Sequence, residues 1–326
     1  MANTQRIARA QAYNSRRGRC NLPLPATPRP VTASANPVTA FLRQPALRSP
    51  EFGLALGLVV GRFALDMQDL HYGYWTDDLE LTPQNLPRAQ ARYTEELMGD
   101  IPADVRSILD VGCGAGNTAR KLLERGYEVD CVSPNAWLTT EARRVLGNRA
   151  RVFESKFEDL TVDRTYDLVL FSESFLFMKA KEALSKAEAA LRPGGYILIS
   201  DIFRIPADEK SPIGGGQNLS RHRARLAASH FTQLKDTDMT ANIAPTFDLV
   251  NRAYVEAIGP AYGLILAKLD ASYPRLMKFV RWKWRAKIAR YEDKHFSGKR
   301  DGAHFMRHKS YRRMLYQLRT GDPEAQ

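Results

Sequence analysis

The 326 residues carry a net charge of +12, from 48 lysines and arginines against 36 aspartates and glutamates. No run of 18 apolar residues occurs, which excludes a bilayer-spanning helix. The three cysteines stand at spacings that give neither a disulfide framework nor a zinc site, so a reducing compartment is expected. The positive charge is concentrated at the two ends: residues 1–50 hold eight arginines and no acid, residues 268–319 hold 16 basic residues against 4 acidic ones, and residues 51–267 are mildly acidic.

Residues 1–50 are rich in Arg, Pro, Ala, Ser and Thr, and such a segment buries too little apolar surface to offset its ordering entropy. We expect a disordered basic tail on a cytoplasmic protein. An Arg-rich start without acids also describes an organelle transit peptide, so import into an organelle is the alternative.

A folded core is expected over residues 51–240, and its first part, residues 51–100, forms a helical and aromatic cap. The cap contains an apolar helix at 52–67, the aromatic segment LHYGYW (Leu70 to Trp75) and a helix at 84–99.

Strands and helices then alternate. The predicted strands lie at 107–111, 127–132, 150–154, 166–171, 196–201, 231–238 and 310–318, and the predicted helices at 117–125, 136–146, 179–191 and 219–229. This alternation predicts an α/β fold: a Rossmann-like, mostly parallel, seven-stranded sheet with helices on both faces. Residues 241–300 are expected to form a basic helical lid, inserted before the last strand and the C-terminal tail (301–326).

The segment SILDVGCGAGNTARKLL (107–123) runs from a strand into three glycines at every second position and then into a helix. Glycines in this place let a ligand approach the backbone closely. A dinucleotide fingerprint needs its third glycine at the position of Asn117, and a phosphate loop needs a Gly-Lys-Ser/Thr ending, so neither template fits. The remaining pattern, D-x-G-x-G-x-G, resembles the first motif of the class I S-adenosylmethionine-dependent methyltransferases.

The resemblance covers residues 84–238 through YEVDCVSP, ESKFEDL, YDLVLFSESFLFM and ALRPGGYILISDIF, in the family's order and spacing. It implies S-adenosylmethionine as the cofactor. The cofactor-binding residues that it implies are Asp110, Gly112, Gly114, Gly116, Asn117, Ser133, Phe157, Glu158 and Ser172, with Tyr72 and Trp75 from the aromatic segment. Cys131 occupies the position that offers an acid to the ribose in the family, and Ser133 or Asn135 can substitute for it. Phe157 and Glu158 stand where the family packs the adenine and meets its amino group.

The loop after the fourth strand reads FSES, whereas methyltransferases that act on amino groups commonly carry an Asn/Asp-Pro-Pro-aromatic motif there. FSES together with the upstream HYGYW resembles the small-molecule and lipid branch, which includes cyclopropane-fatty-acid synthase and the sterol and tocopherol methyltransferases. In that branch the aromatic segment folds over the cofactor and closes the acceptor pocket. The residues that could do so here are His71, Tyr72, Tyr74 and Trp75. Anchoring of the N-terminal helix to the core is the alternative role, and both can hold.

Glu173 and His71 are the catalytic candidates. Glu173 should lie beyond the end of strand four, near the transferable methyl group, where a carboxylate can act as a general base, orient the acceptor or contact the cofactor alone. His295, His304 and His308 are too loosely spaced for a metal site, so no metal is expected.

Residues 273–291 combine many basic residues with an apolar stripe at four-residue spacing: Leu276, Val280, Trp284 and Ile288. Such a helix either packs its stripe on the core as a lid or lies on an anionic membrane surface. The acidic core argues against a nucleic-acid enzyme.

The sequence therefore predicts methyl transfer from S-adenosylmethionine to carbon or oxygen of a hydrophobic small molecule or lipid. Two alternatives stay open: an RNA or protein methyltransferase that docks through its basic ends, and a non-catalytic binding subunit with the same fold. Neither the acceptor nor the oligomeric state can be read from the sequence.

Overall fold

The computed structural model describes residues 49–320, with the backbone alone for residues 49–52. The tail expected at residues 1–50 therefore lies almost wholly outside the described residues, as do residues 321–326. Within the part of the chain that is described, no helix is both long and apolar enough to cross a membrane.

Seven strands form one continuous sheet, and an eighth, of two residues, joins its side. The strands are β1 (Ser107–Val111), β2 (Glu128–Ser133), β3 (Arg151–Glu154), β4 (Tyr166–Ser172), β5 (Leu191–Arg204), β6 (Gln217–Asn218), β7 (Phe231–Asp238) and β8 (Lys309–Leu318). Their order is β3-β2-β1-β4-β5-β8-β7, with β6 paired to β5. Strands β1 to β5 pair in parallel, and β8 runs antiparallel to β5 and β7. The predicted Rossmann-like, mostly parallel sheet is confirmed.

Strand β5 is longer than the sequence pattern indicates, because it begins at Leu191 instead of residue 196. Leu191 pairs with Tyr166 and Tyr196 pairs with Leu168, so the Pro-Gly-Gly turn lies inside the strand as a register shift. Gly194 has a φ of 76°, a left-handed conformation that glycine adopts without strain.

Ten α-helices are seen among the described residues. They are α1 (Ser49–Leu65), α2 (Leu86–Gly99), α3 (Asn117–Glu124), α4 (Ala136–Leu146), α5 (Ala180–Ala190), α6 (Leu219–Ala227), α7 (Thr240–Ala253), α8 (Gly259–Ser272), α9 (Pro274–Phe296) and α10 (Gly302–His308). A π-helical turn at Tyr254–Ile258 connects α7 to α8.

The core consists of two apolar layers, one on each face of the sheet. Successive residues of a strand point to opposite faces. Ile108 accordingly belongs to the layer that contains residues of α2, α3 and α7, and Leu109 belongs to the layer that contains residues of α5 and α6. Helices therefore cover both faces, as the alternating pattern predicts.

The aromatic loop, defined as residues 70–75, is anchored to α7. Trp75 is 4% exposed, and its indole Nε1 donates a hydrogen bond to Thr246 Oγ1 at 2.9 Å. The backbone N–H of Gly73 donates to the same oxygen at 3.1 Å. The backbone of Trp75 exchanges two further hydrogen bonds with Asn242, at 2.9 and 2.8 Å. Trp75 thus anchors the aromatic loop and is buried against α7 and α2. Its contact with the cofactor stays a prediction.

Helices α8 and α9 fold back on each other to form what we call the helical hairpin (residues 259–296). Asp270 binds Arg281 at 2.6 Å across it. The one buried residue of α9 is Met277, whereas Leu276 and Trp284 of the apolar stripe are exposed. The other two stripe residues, Val280 and Ile288, are half-buried. The stripe is therefore only partly covered, whereas a closed lid would bury all of it.

Replacing Trp75 by Ala should lower the free energy of unfolding by about 3–5 kcal/mol, because it removes a buried indole and leaves Thr246 without that donor. Denaturant unfolding of the full chain measures the change. Trp282, which is 69% exposed on α9, is the matched control. Trp282→Ala should change the free energy of unfolding by less than about 0.5 kcal/mol. An equal effect of the two substitutions would contradict the anchoring of the aromatic loop.

Candidate active site

The glycine loop (residues 112–116) connects β1 to α3, and its three glycines have left-handed backbone conformations. Their φ angles are 80° at Gly112, 55° at Gly114 and 83° at Gly116. At two of these positions close packing leaves no room for a side chain. A Cβ on Gly112 would lie 2.3 Å from Ser174 Cβ, and a Cβ on Gly116 would lie 3.1 Å from helix α4. A Cβ on Gly114 would have no neighbour closer than 3.7 Å. The loop therefore presents open backbone at Gly114, as a ligand lying against it would require.

Asp110 lies near the end of β1 and is 2% exposed. Its Oδ2 has no hydrogen-bond partner among the described residues. Burial raises the pKa of this carboxyl to about 7. A buried carboxylate oxygen without a partner is costly, and an ammonium group would satisfy it. This is the fit expected for the amino-acid end of S-adenosylmethionine.

The strand register favours Ser133 over Cys131 as the residue at the ribose position. Val132 pairs with Val111, so Ser133, the last residue of β2, is level with the start of the glycine loop. Cys131 lies two residues deeper and is fully buried. Asn135 is used as the cap of α4, since its Oδ1 accepts a hydrogen bond from the backbone N–H of Leu138 at 3.0 Å.

The side chain of Asn117 is occupied by protein partners. Its Nδ2 donates to Asp69 Oδ1 at 2.6 Å, and its Oδ1 accepts from the Arg120 guanidinium at 2.8 and 3.0 Å. Asp69 also binds Lys121 at 2.8 Å. Burial opposes ionisation of Asp69, but His71 and Lys121 outweigh it and hold the pKa of this carboxyl well below its usual range. The Asn117 side chain therefore ties α3 to the segment before the aromatic loop and is not free for the predicted cofactor contact.

Glu173 follows β4 with a φ of 55°, an uncommon conformation for a residue other than glycine. Its Oε1 accepts hydrogen bonds from the backbone N–H of Tyr72 and from the hydroxyl of Tyr311, both at 2.9 Å. No residue between 49 and 320 donates to its Oε2. Burial raises the pKa of the carboxyl to about 7, against the opposing effects of His71 and the two donors. One oxygen is thus fixed, and the other can accept a proton near neutral pH.

Two buried tyrosines extend this arrangement. The Tyr311 hydroxyl lies 2.9 Å from that of Tyr93, which donates to Ser200 Oγ at 2.8 Å. Ser172, predicted to bind the cofactor, has its hydroxyl 3.0 Å from Tyr93 in this chain. Sequence reasoning missed both tyrosines, because Tyr93 comes from α2 and Tyr311 from β8, and no local signal connects them with Glu173.

Asp201 in β5 is a further buried carboxyl that sequence reasoning missed. Its oxygens accept hydrogen bonds from the backbone N–H groups of Ile202 at 2.7 Å and Leu176 at 2.9 Å. Burial raises its pKa to about 8. Asp201 holds the loop that carries Glu173. The motif SDIF, near the end of the fifth strand, was the sequence feature that could have identified Asp201 as a candidate site residue.

His71 is buried, and both of its ring nitrogens are engaged. Nδ1 lies 2.9 Å from the carbonyl oxygen of Tyr72, so it must donate. Nε2 lies 3.2 Å from Thr94 Oγ1 and 3.5 Å from Asp69 Oδ1. In this arrangement His71 therefore positions the backbone of Tyr72 and does not present a free nitrogen to a substrate.

The other predicted residues lie at the edges of this site. Phe157 is buried edge-on against Phe171, with 5.5 Å between the ring centres, and Glu158 beside it is half-buried. The ring of Tyr72 stacks on Phe247 at 4.8 Å. Tyr74 is partly buried against the core layer of α2, α3 and α7. Between residues 49 and 320, no group of three or more His, Cys, Asp or Glu side chains could hold a metal ion.

Comparison with known proteins identifies the domain that carries these residues. A family model described as a methyltransferase domain matches residues 108–195, which include the glycine loop and Glu173. The 27-O-demethylrifamycin SV methyltransferase of Amycolatopsis mediterranei is 28% identical over 153 residues, covering 43% of this chain and 53% of the relative. The chain thus matches about half the length of this curated relative.

Two solved structures share the fold. The cyclase SpnF superposes with a TM-score of 0.58 at 20% identity, over 85% of this chain and 99% of the other. The geranyl diphosphate C-methyltransferase of Streptomyces coelicolor A3(2), solved with Mg2+, geranyl diphosphate and S-adenosyl-L-homocysteine, gives a TM-score of 0.57 at 14% identity, over 80% and 97% of the two chains. At these identities the likeness is one of fold.

The matched domain, the fold and the glycine loop agree, and the resemblance drawn from the sequence motifs is confirmed. S-adenosylmethionine, the predicted cofactor, is the one that defines this family. Residues 108–195 carry a methyltransferase domain, and the methyltransferase relatives and the structures that share the fold support a class I S-adenosylmethionine-dependent methyltransferase of the small-molecule branch.

Proposed function

We propose that the protein transfers a methyl group from S-adenosylmethionine to an oxygen or carbon of a hydrophobic small molecule, with Glu173 as the proton acceptor. The observation that carries this proposal is the asymmetry of the Glu173 carboxylate. Oε1 accepts from Tyr72 and Tyr311, and Oε2 accepts from no residue between 49 and 320. A general base that works at neutral pH needs a pKa near 7, and burial raises that of Glu173 to about 7.

The residues around the glycine loop fit the cofactor. Asp110 has a buried oxygen without a partner among the described residues, which suits an ammonium group. Gly114 offers open backbone, and Ser133 is the candidate for the ribose hydroxyls. When bound, S-adenosylmethionine supplies an electrophilic methyl group, so the protein needs no nucleophile of its own.

Glu173 and its two donors perform the protein's part of the reaction. Oε2 is available to take the proton from the acceptor hydroxyl or from an acidic carbon. The acceptor atom would then bond to the methyl carbon as the bond between that carbon and the sulfonium sulfur breaks, which would release S-adenosylhomocysteine. The Tyr311 hydroxyl and the Tyr72 N–H stabilise the ionised carboxylate and fix its orientation through Oε1. Alignment of the acceptor with this base lowers the barrier without covalent catalysis. The proton then passes from Glu173 to solvent.

The surroundings of Glu173 support a hydrophobic acceptor. Tyr72 stacks on Phe247 and lies edge-on to Tyr311, so aromatic rings border the carboxylate. Phe177, four residues after Glu173, is exposed. The Amycolatopsis relative is named for O-methylation and the Streptomyces structure for C-methylation of a small molecule, which supports the same class of acceptor. SpnF is named as a cyclase, so methyl transfer has to be tested directly.

Binding of S-adenosylmethionine should depend on Gly114 and Asp110. Gly114→Val should abolish binding, because a branched side chain would fill the open space and strain a left-handed backbone. Affinity for the wild type should rise from about pH 6 to about pH 7.5, because Asp110 must lose its proton to pair with the ammonium group. Asp110→Asn should bind more weakly and lose this pH dependence.

Calorimetry on the full chain measures these affinities. Gly99→Ala is the control, since a Cβ at Gly99 would meet nothing within 4 Å and the position lies at the end of α2. Equal affinity of the wild type and Gly114→Val would contradict the cofactor site.

Glu173→Gln should lower kcat by about 100-fold or more, because it removes the base and keeps the shape and the Oε1 acceptor. In the wild type, kcat/KM should rise with pH through an apparent pKa of about 7, since the base of the free enzyme must be ionised. Methyl transfer to a panel of hydrophobic alcohols and carbon acids is the assay. Glu182→Gln, at an exposed position on α5, is the control. A pH profile without this ascending limb, or full activity of Glu173→Gln, would exclude Glu173 as the base.

We further propose that the helical hairpin contacts an anionic membrane surface. Leu264 is 74% exposed, and Trp282 is exposed as well. The Lys283 ammonium lies 5.5 Å from the ring centre of Phe279 and 5.4 Å from that of Trp284. Exposed apolar side chains interleaved with basic ones are typical of a helix at a lipid interface. RNA contact would leave aliphatic groups such as Leu264 without a role.

The full chain should co-sediment with anionic vesicles at low salt and dissociate at high salt, because the Debye length falls from about 30 Å at 0.01 M to about 3 Å at 1 M. Lys283→Glu with Lys287→Glu should weaken binding and leave cofactor affinity unchanged. Lys179→Glu with Lys181→Glu, near α5, is the control of equal charge. Equal co-sedimentation of the two double variants would refute membrane contact by the hairpin, and preference for an RNA oligonucleotide over vesicles would favour the nucleic-acid alternative.

A further inference from the structure

A cavity of about 480 Å³ lies beyond the end of β5, between the segment at residues 204–216 and the start of β8. Its lining is rich in basic groups, and the one acid among the lining residues is Glu209. The basic residues that line it are Arg204, Lys210, His308 and Lys309. The Glu209 carboxylate accepts a hydrogen bond from Arg307 at 3.1 Å. Its negative charge is therefore paired with a residue that does not line the cavity.

Lys309 and Arg204 stand directly opposite each other on the antiparallel strands β8 and β5. Like charges at such positions destabilise a sheet. Lys309 is 1% exposed, and its ammonium donates to the carbonyl of Gly215 at 2.7 Å. Within residues 49–320 neither cation pairs with a carboxylate. Burial and the charge of Arg204 lower the pKa of Lys309 to about 8. The folded chain therefore holds two opposed cations beside a cavity.

His308 adds a third basic group to the cavity, and one of its ring nitrogens has no hydrogen-bond partner among the described residues. Its Nδ1 lies 2.9 Å from the carbonyl of His304 and must donate to it. Its buried Nε2 has no hydrogen-bond partner among the described residues, and Glu209 Oε1 is 3.8 Å away.

The cavity adjoins the loop that carries Glu173. Lys309 and Tyr311 are two residues apart on β8, so their side chains share one face of the sheet at a spacing of about 7 Å. Gln217, just after the glycines that line the cavity, donates to the carbonyls of Phe175 and Met178 at 3.0 and 3.2 Å. The same β8 strand thus supplies the hydroxyl that holds Glu173 and the ammonium that faces the cavity.

We propose that this cavity binds an oxyanion at one end of the acceptor, a phosphate or carboxylate group, and that the apolar body of the acceptor extends from it to Glu173. The binding of an oxyanion there would neutralise the opposed cations. The assignment to the acceptor rests on the proposed function, whereas oxyanion binding itself does not require it.

Calorimetric titration of the full chain with inorganic phosphate, pyrophosphate and acetate, at constant ionic strength, tests the proposal. We expect binding of at least one of these probes, with affinity about tenfold lower in Arg204→Gln and in Lys309→Met, because each loses a charge-assisted hydrogen bond. Arg221→Gln, an exposed arginine on α6, is the matched control and should bind as the wild type does. Tighter binding of pyrophosphate would assign a phosphate-bearing acceptor, and tighter binding of acetate a carboxylate.

Arg204 is exposed, so Arg204→Gln carries the test even if Lys309→Met does not fold. S-adenosylmethionine affinity is measured on the same variants and should be unchanged. Absence of probe binding to the wild type, or equal affinities in Arg204→Gln and Arg221→Gln, would overturn the oxyanion site and leave the proposed function standing. If the wild type bound the probes but did not bind S-adenosylmethionine, the proposed function would be contradicted and the oxyanion site would stand.

Discussion

Two hydrogen bonds to one carboxylate oxygen hold the candidate active site together. Tyr72 and Tyr311 both donate to Oε1 of Glu173, from positions 101 and 138 residues away in the chain. The aromatic loop, the end of β4 and strand β8 must therefore be folded together before the carboxylate has its geometry. Anchoring of Trp75 on α7 and of the Glu173 loop on Asp201 keeps those segments in place.

This arrangement has a cost in stability. Asp110 and Asp201 are buried carboxyls and Glu173 is half-buried, and removal from solvent raises their pKa values to about 7, 8 and 7 in that order. Because the folded state holds their protons more tightly than the unfolded chain does, their contribution to stability is fully present below the ordinary carboxyl pKa of about 4. It is lost as the pH rises from there through the folded pKa values of about 7 to 8. A cation that pairs with Asp110 offsets part of this loss, so cofactor binding and stability are coupled. Perturbed carboxyls of this kind are concentrated at functional sites.

The strands, the helices and the glycine loop were predictable because each depends on residues close together in the sequence. The spacing of apolar residues located nearly every strand and helix, and the motif D-x-G-x-G-x-G located the glycine loop with its left-handed backbone. The partners of each polar group were not predictable, because they come from distant segments: Tyr93 and Tyr311 had no local signal, and Asn117 has the residue type of a ligand contact but binds Asp69. The apolar stripe of α9 was visible in the sequence, but its spacing could not specify whether it faces the core or solvent.

Direct titration of the Glu173 carboxyl tests the central claim most sharply. In protein labelled with 13C at the glutamate carboxyls, the resonance that Glu173→Gln removes identifies this group. We expect its chemical shift to titrate with a midpoint at about pH 7, and the midpoint to move upward in Tyr311→Phe, which loses a donor to the ionised form. A midpoint near the ordinary glutamate value of about 4.3, unchanged by Tyr311→Phe, would contradict the role of Glu173 as a base poised by burial and by its two donors.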